Sequence, residues 1–224
     1  MLISCVNRIS KFAVGVLGRF RFTLISATLL TSFAFWSNSH SSRLSDVWRT
    51  AIGFSPLSTV GLQWHRPLTS LLFTAGDRIF LQSLIMLCIC VGLCEQRFRT
   101  TTTTLVFFVS HLSVTVGLAL FVILPFHTAG AVWATALASE KDVGPSAGYY
   151  GCLGFWIASL NSRHRRILIP CLILVLAVRL VFSLAKIELN PATVSADLSH
   201  LAALPLGLIV GFWNQRSPTA SRAS

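Results

Sequence analysis

Asp142-Val-Gly-Pro-Ser-Ala-Gly-Tyr-Tyr-Gly-Cys-Leu-Gly154 is a polar, glycine-marked entry into an apolar segment, with Ser146 at its mouth. The apolar segment covers 146–160 and is followed at once by Asn161-Ser-Arg-His-Arg-Arg166. At ~1.5 Å per residue it reaches only about 22 Å, short of the ~30 Å hydrocarbon core of a bilayer. With Asn161 at the far water interface, Ser146 starts its helix below the near one. A hydroxyl at that depth, behind a glycine and a proline, is a candidate nucleophile.

Composition sets the surroundings of that segment. The chain has 224 residues, 54% hydrophobic and 11% charged, which is the profile of a polytopic membrane protein and leaves no room for a separate soluble domain. Apolar runs are expected to span at 22–36, 79–94, 103–126, 146–160, 167–184 and 196–213. Sorted against these runs, one set of ends carries Arg8, Lys11, Arg19, Arg21, Arg97, Arg99, Arg163, Arg165, Arg166, Arg216 and Arg222 against the single acid Glu95. The other set is balanced: Arg43, Arg49, Arg66, Arg78, Lys141 and Lys186 face Asp46, Asp77, Glu140, Asp142, Glu188 and Asp197. The net charge of +11 is therefore read as positive-inside asymmetry, which puts both termini in the cytoplasm, and not as a nucleic-acid surface. The expected location is a bacterial plasma membrane, in contact with anionic lipid.

The organisation expected is one all-α, six-span membrane domain over 22–213. It is preceded by a short interfacial segment at 1–21 and followed by a disordered cytoplasmic tail at 214–224. The loop 37–77 carries Trp48, Ile52, Phe54, Leu57, Trp64, Leu68, Leu71, Leu72 and Phe73 between breakers Gly53, Pro56, Gly61 and Pro67, so it is expected to lie on or dip into the outer leaflet. The six cysteines, Cys5, Cys88, Cys90, Cys94, Cys152 and Cys171, form no Cys-x-x-Cys and none falls in an outer loop; they read as small packing residues, with no metal and no cofactor implied.

By alternation, the fourth and sixth runs begin on the same side, so Ser146 and His200 lie at similar depth. Ionisable groups inside a bilayer are functional candidates. Ser146, Tyr150 and Gly154 share one helix face; His200, Ala203, Gly207 and Gly211 share another. Small residues let membrane helices approach closely, so these faces are expected to meet. His200 then comes near Ser146 with Tyr150 available to pack on the imidazole, which could take the serine proton. Gly144-Pro145 places proline at the first helical position and leaves free N–H groups around Ser146 for an oxyanion. Asp197 is read either as orienting His200 or, behind a possible Ser195 cap, as stabilising the start of the sixth helix. His111 is expected to be satisfied by Ser110 or Thr115. Arg179 is expected to snorkel outward or meet an outer carboxylate. Pro205 is expected to kink the sixth helix just below His200.

These residues resemble the rhomboid family over about 64–211. Gly144-Pro-Ser146 resembles its Gly-x-Ser nucleophile motif, with Tyr150 and Gly154 at the family's spacing, and His200 in Asp197-Leu-Ser-His-Leu-Ala-Ala203 resembles the general-base motif. Glu95-Gln-Arg97 is similar to the Glu-x-Arg that closes the second helix, and Arg66-Pro-Leu-Thr69 with Thr74-Ala-Gly76 is similar to the segment leading into it. The resemblance implies a six-helix bundle and an intramembrane serine endopeptidase. Its implied dyad is Ser146 and His200, supported by Gly144, Tyr150 and Ser83, acting on single-span membrane proteins without a cofactor. The family's His-x-x-x-Asn pair of the second helix falls here on Ile79 and Ser83, His65 interrupts the usual Trp-Arg pair, and Ala147 and Ala203 stand where glycine is common. A rhomboid-like protein that binds membrane segments without cutting them is therefore the competing reading. A small transporter or channel is a third, disfavoured by the lack of paired charges within the runs.

Overall fold

The computed structural model describes residues 18–216. Of the interfacial segment expected at 1–21, residues 1–17 lie outside the described residues, as do residues 217–224 of the tail expected at 214–224, and with them Cys5, Arg8, Lys11 and Arg222; residues 214–216 continue the last helix. Among the described residues the elements are helical, in the order α1 (Arg21–Trp36), α2 (Asp46–Ile52), α3 (Pro56–Val60), α4 (Arg66–Ser70), α5 (Arg78–Phe98) and α6 (Thr100–Leu118). A π-helical stretch, Ala119–Ile123, carries α6 into α7 (Leu124–Thr128), and α8 (Val132–Ser139), α9 (Ser146–Ala158), α10 (Ser162–Leu184) and α11 (Pro191–Arg216) follow.

Four stretches are long and apolar enough to cross a bilayer: Arg78–Phe98, Thr100–Thr128, Ser162–Leu184 and Pro191–Gln215. This is an all-α membrane protein. The helices α1 and α9, with 16 and 13 residues, are shorter than the ~20 residues a straight crossing needs.

The helix α9 is the axis of the bundle. Ten of its 13 residues are buried, the pattern of a helix that is apolar all round. Its small residues make this possible. A Cβ on Gly154 would overlap the Leu204 carbonyl oxygen, and one on Gly207 would overlap that of Gly151, so α9 and α11 pack backbone to backbone. On another face, Gly148 receives the ring of Phe107 and Gly151 the side chain of Ser110, both from α6. The two small-residue faces expected to meet do meet. Cys94 and Cys152, both buried, converge on Thr103, whose hydroxyl donates to Cys94 Sγ (3.6 Å) and whose carbonyl accepts from Cys152 Sγ (3.8 Å). By contrast α10 buries only Leu176 and Ser183 and presents Ile167, Leu174, Val175, Val181 and Phe182 outward, an apolar flank suited to lipid tails.

Three helix starts differ from expectation by three residues or more. The helix α10 begins at Ser162, five residues before the expected 167, where Asn161 Oδ1 accepts from the His164 amide at 3.0 Å. The helix α6 begins at Thr100, almost without a break after α5, where Arg99 turns the chain with φ 74°. The helix α11 begins at Pro191, a turn and more before the expected 196, because Asn190 Oδ1 accepts from the Thr193 amide and Pro191 follows it at the first helical position. Ser195 is thus inside the helix and not a cap. The helix continues through Pro205 as far as Arg216.

The loop after α1 is folded. Ser45 and Ser55 cap α2 and α3, and the Arg66 guanidinium donates to the carbonyls of Thr50 and Gly53, each at 2.8 Å. Trp48 packs on Phe73 and Trp36, with ring centroids 5.7 and 4.8 Å away. Val47, Val60, Leu62 and Trp64 stay exposed on it, an apolar surface that agrees with a leaflet-bound loop.

Candidate functional site

Ser146 is the first residue of α9. Pro145 precedes the helix and does not open it, so the proline expected at the first helical position sits one residue earlier. Gly144 has φ 148°, a conformation that side chains rarely adopt, and this residue turns the chain into the helix. The incoming strand is pinned at two places: Phe54 and Asp142 exchange both backbone hydrogen bonds (3.0 and 2.8 Å), and the Gly144 amide donates to the Ser70 carbonyl at 3.0 Å. The first amides of α9, from Ser146 to Gly148, have no acceptor within the helix. They are the donors available to a negative oxygen beside Ser146.

Ser146 opens onto a cavity of about 30 Å³, enough to admit a water molecule. Asp142, His111, Thr115, Ser195 and Ser199 contribute the polar lining, with Phe54 closing it from the first loop. His111 Nε2 lies 2.8 Å from the Pro67 carbonyl oxygen, so the ring N–H donates there and Nδ1, buried and without a partner, carries the lone pair. Neither Ser110 nor Thr115, the expected partners, is bonded to His111. The Ser195 hydroxyl donates to Asp142 Oδ2 at 3.1 Å and ties the strand to α11. Burial pushes the Asp142 carboxyl up to about 6, against the weaker opposite pull of the Ser195 and Val143 hydrogen bonds. Burial also raises the Glu140 carboxyl, which the Arg49 guanidinium 3.6 Å away partly offsets.

His200 is buried in the third turn of α11, and the ring of Tyr150 lies over it, centroids 4.4 Å apart at 30°. Tyr150 is one turn below Ser146, so the serine, tyrosine and histidine occupy the same interface between α9 and α11. The hydrogen bonds of the described residues do not include one from Ser146 to His200. His200 Nδ1 is buried without a hydrogen-bond partner and faces Asp197 Oδ1 at 3.8 Å. Asp197 is itself buried and pairs with Arg179 of α10 at 2.8 Å. Of the two readings of Asp197, stabilising a helix start is ruled out by the helix beginning at Pro191; Arg179 meets a carboxylate, as one of its two readings had it.

Ser83 and Ile79 part company. Ser83 is buried beside the Tyr149 phenol, whereas Ile79 is 52% exposed in the first turn of α5 and turned away from the bundle. The Tyr149 and Tyr150 rings are 5.3 Å apart, so Ser83 reaches the histidine only through two aromatic rings.

Sequence reasoning missed three features of the site: the bond from Ser195 to Asp142, the grip of Pro67 on His111, and the pinning of the strand by Phe54 and Ser70. The last had a faint signal in the polar, glycine-marked stretch 142–144, which is too short to register as a strand. Comparison of the chain with protein-family models, with curated proteins and with solved structures gives no significant match.

Proposed function

We propose that the chain is a rhomboid-like intramembrane serine endopeptidase in which Ser146 attacks and His200 is the base. The observation that carries this reading is the interface of α9 with α11, which holds a serine with free helix amides and a ring-stacked histidine on one seam. In the proposed reaction, Ser146 Oγ attacks the substrate carbonyl as its proton passes to His200 Nε2. The amides at the start of α9 hold the developing oxyanion. The tetrahedral intermediate collapses as His200 returns the proton to the leaving amine, and water then cleaves the acyl-enzyme by the same steps in reverse order. The substrates are single-span proteins whose helix unwinds near the outer interface. The short helices α1 and α9 act as the first and fourth of six spans, with both termini cytoplasmic and Ser146 in the outer half of the bilayer.

A fluorophosphonate probe tests the chemistry. It labels the wild-type chain and not Ser146→Ala, and Ser146→Ala and His200→Ala each abolish cleavage of a reporter span. The double variant loses little more than either single one, because the pair acts as a unit. Additive losses contradict a dyad. For the topology, reporter fusions at Arg99 and Ser162 read cytoplasmic and one at Glu188 reads external; an external Ser162 overturns six spans.

The second reading, a protein that binds membrane segments without cutting them, is favoured by the outward-facing Ile79 and by the missing Ser146–His200 hydrogen bond. Apo hydrogen bonds at catalytic sites often tighten only with substrate, so the protease reading comes first. A folded chain that is inert to the probe and to several reporter spans decides for the binder.

A further inference from the structure

His200 has two ring nitrogens, and only one can serve as a base toward Ser146. What fixes the choice is the group beside the other nitrogen. That group is Asp197, on the same helix three residues earlier, whose Oδ1 is 3.8 Å from His200 Nδ1. Both atoms are buried and neither has a hydrogen-bond partner, although one is an acceptor and the other can be a donor. The two complementary atoms face each other, and the Tyr150 ring covers the imidazole at 4.4 Å between centroids.

Asp197 is 2% exposed. Arg179 reaches it from α10 at 2.8 Å, with a side chain 44% exposed. That guanidinium sets a positive charge against the carboxyl group. The contact is made with Oδ1, the oxygen that faces the histidine, and it is a charge pairing without the alignment of a hydrogen bond. Every charged or titratable group around the imidazole is then placed: Asp197 on its own helix, Arg179 from α10 and Tyr150 from α9, with Cys90 of α5 behind the tyrosine.

We propose that Asp197, paired with Arg179, is a positioning residue that keeps the His200 proton on Nδ1 and leaves Nε2 as the base. The proposal rests on the protease reading for its kinetic consequence but not for its geometry. The imidazolium formed when Ser146 gives up its proton sits beside a carboxylate, whose attraction stabilises it as the transition state is reached. Nothing is consumed: the proton moves from Ser146 Oγ to Nε2, and the Nδ1 proton stays shared toward Asp197.

Two measurements test this on the full-length chain in detergent micelles. In ¹⁵N-histidine-labelled protein, with His200 assigned by its loss in His200→Gln, the wild-type imidazole reports the Nδ1–H tautomer, and Asp197→Asn shifts it toward a mixture. In cleavage of a reporter span, Asp197→Asn lowers kcat about 100-fold, the low end of what general-base catalysis supplies, at unchanged KM. The acid limb of its pH–rate profile moves to lower pH, because the imidazolium has lost the carboxylate. Arg179→Gln gives the same kcat loss and Arg179→Lys restores most of it, and this pair decides the matter if Asp197→Asn does not fold.

An Nε2–H tautomer in the wild type overturns the proposal. So does an Asp197→Asn chain whose tautomer, kcat and pH limb are unchanged while only its melting temperature falls, since that is the mark of a merely structural ion pair. If the wild type neither labels with fluorophosphonate nor cleaves, the protease reading fails, and the tautomer alone still decides for or against the Asp197–His200 link.

Discussion

Two buried carboxylate centres, those of Glu95 and Asp197, are finished to different degrees. Glu95 is 2% exposed and accepts from the Phe22 amide (2.9 Å), the Thr23 amide (2.9 Å), the Thr23 hydroxyl (2.8 Å) and the Thr100 hydroxyl (2.6 Å). It supplies acceptors to the orphan amides at the start of α1 and ties α1, α5 and α6 into one joint. Toward Ser146, His200 and His111 each keep a buried ring nitrogen without a hydrogen-bond partner, and Asp197 Oδ1 has the Arg179 charge pairing but no hydrogen bond. The other buried atoms without partners belong to His40, Arg49, Arg66 and Thr74, all in or beside the first loop. A carboxylate whose lone pairs are all used is a fastener. A centre that leaves donors and acceptors unused in the same bundle bears a desolvation cost that its own bonds do not offset.

The sharpest way to break the comparison is to remove the fastener. Glu95→Ala strips several buried donors of their acceptor and is expected to cost roughly 3–5 kcal/mol, the range for breaking a buried charged network. Thermal unfolding in detergent reads it, and the surviving folded fraction should still label with fluorophosphonate at Ser146. His200→Ala should do the reverse, with labelling lost and the melting temperature almost unmoved. The seam is next. Gly207→Ala drives a methyl into the Gly151 carbonyl, and a cost of about 1–3 kcal/mol is expected from such overpacking, with a loss of labelling because Ser146 and His200 are pushed apart.

A smaller effect belongs to a third carboxylate, Asp142, and depends on pH. Asp142 releases its proton at about 6 in the folded chain against 3.8 when unperturbed. Between those values the folded state holds the extra proton, so stability falls as pH rises from about 4 to about 6 and is level above. Asp142→Asn, which keeps an acceptor for Ser195, should flatten that slope in melting curves taken across the range; an unchanged slope excludes Asp142 as its source. Smallest of all, Ser83→Ala removes a hydroxyl beside Tyr149 and should cost less than about 1 kcal/mol. Ile79→His, on an exposed position, should leave fluorophosphonate labelling where it was, whereas a rise would mean that the side chain reaches the oxyanion after all.

The seam was legible in the sequence because small residues at helical spacing are a local pattern. Gly154, Gly207 and Gly211 sit on their faces whatever the rest of the chain does. The start of α11 was missed for a local reason too: Asn190-Pro191 is a cap followed by a first-turn proline, but the nearby charges of Lys186 and Glu188 made the stretch read as loop. What no local pattern holds is which of several carboxylates meets Arg179, which carbonyl takes the His111 proton, and that Glu95 caps a helix 73 positions earlier. Those depend on where helices land relative to each other, and no short window of sequence encodes that.

The clasp between the first loop and the strand before Ser146 has a consequence for biosynthesis. Thr50 and Lys141 are joined by a hydrogen bond across 91 positions of chain, and Phe54 with Asp142 closes the same span. A ribosome delivers Trp48, Phe54 and Trp64 long before it delivers their anchor. Through that interval the nascent loop has its internal contacts and the lipid to cover its apolar side chains, and the residues that will roof the serine wait at the membrane surface as a flap without this clasp. Synthesis halted before Asp142 should leave that flap open to added protease, and extension past Asp142 should shut it. The same bonds that later shape the cavity thus date its completion to the emergence of one short strand.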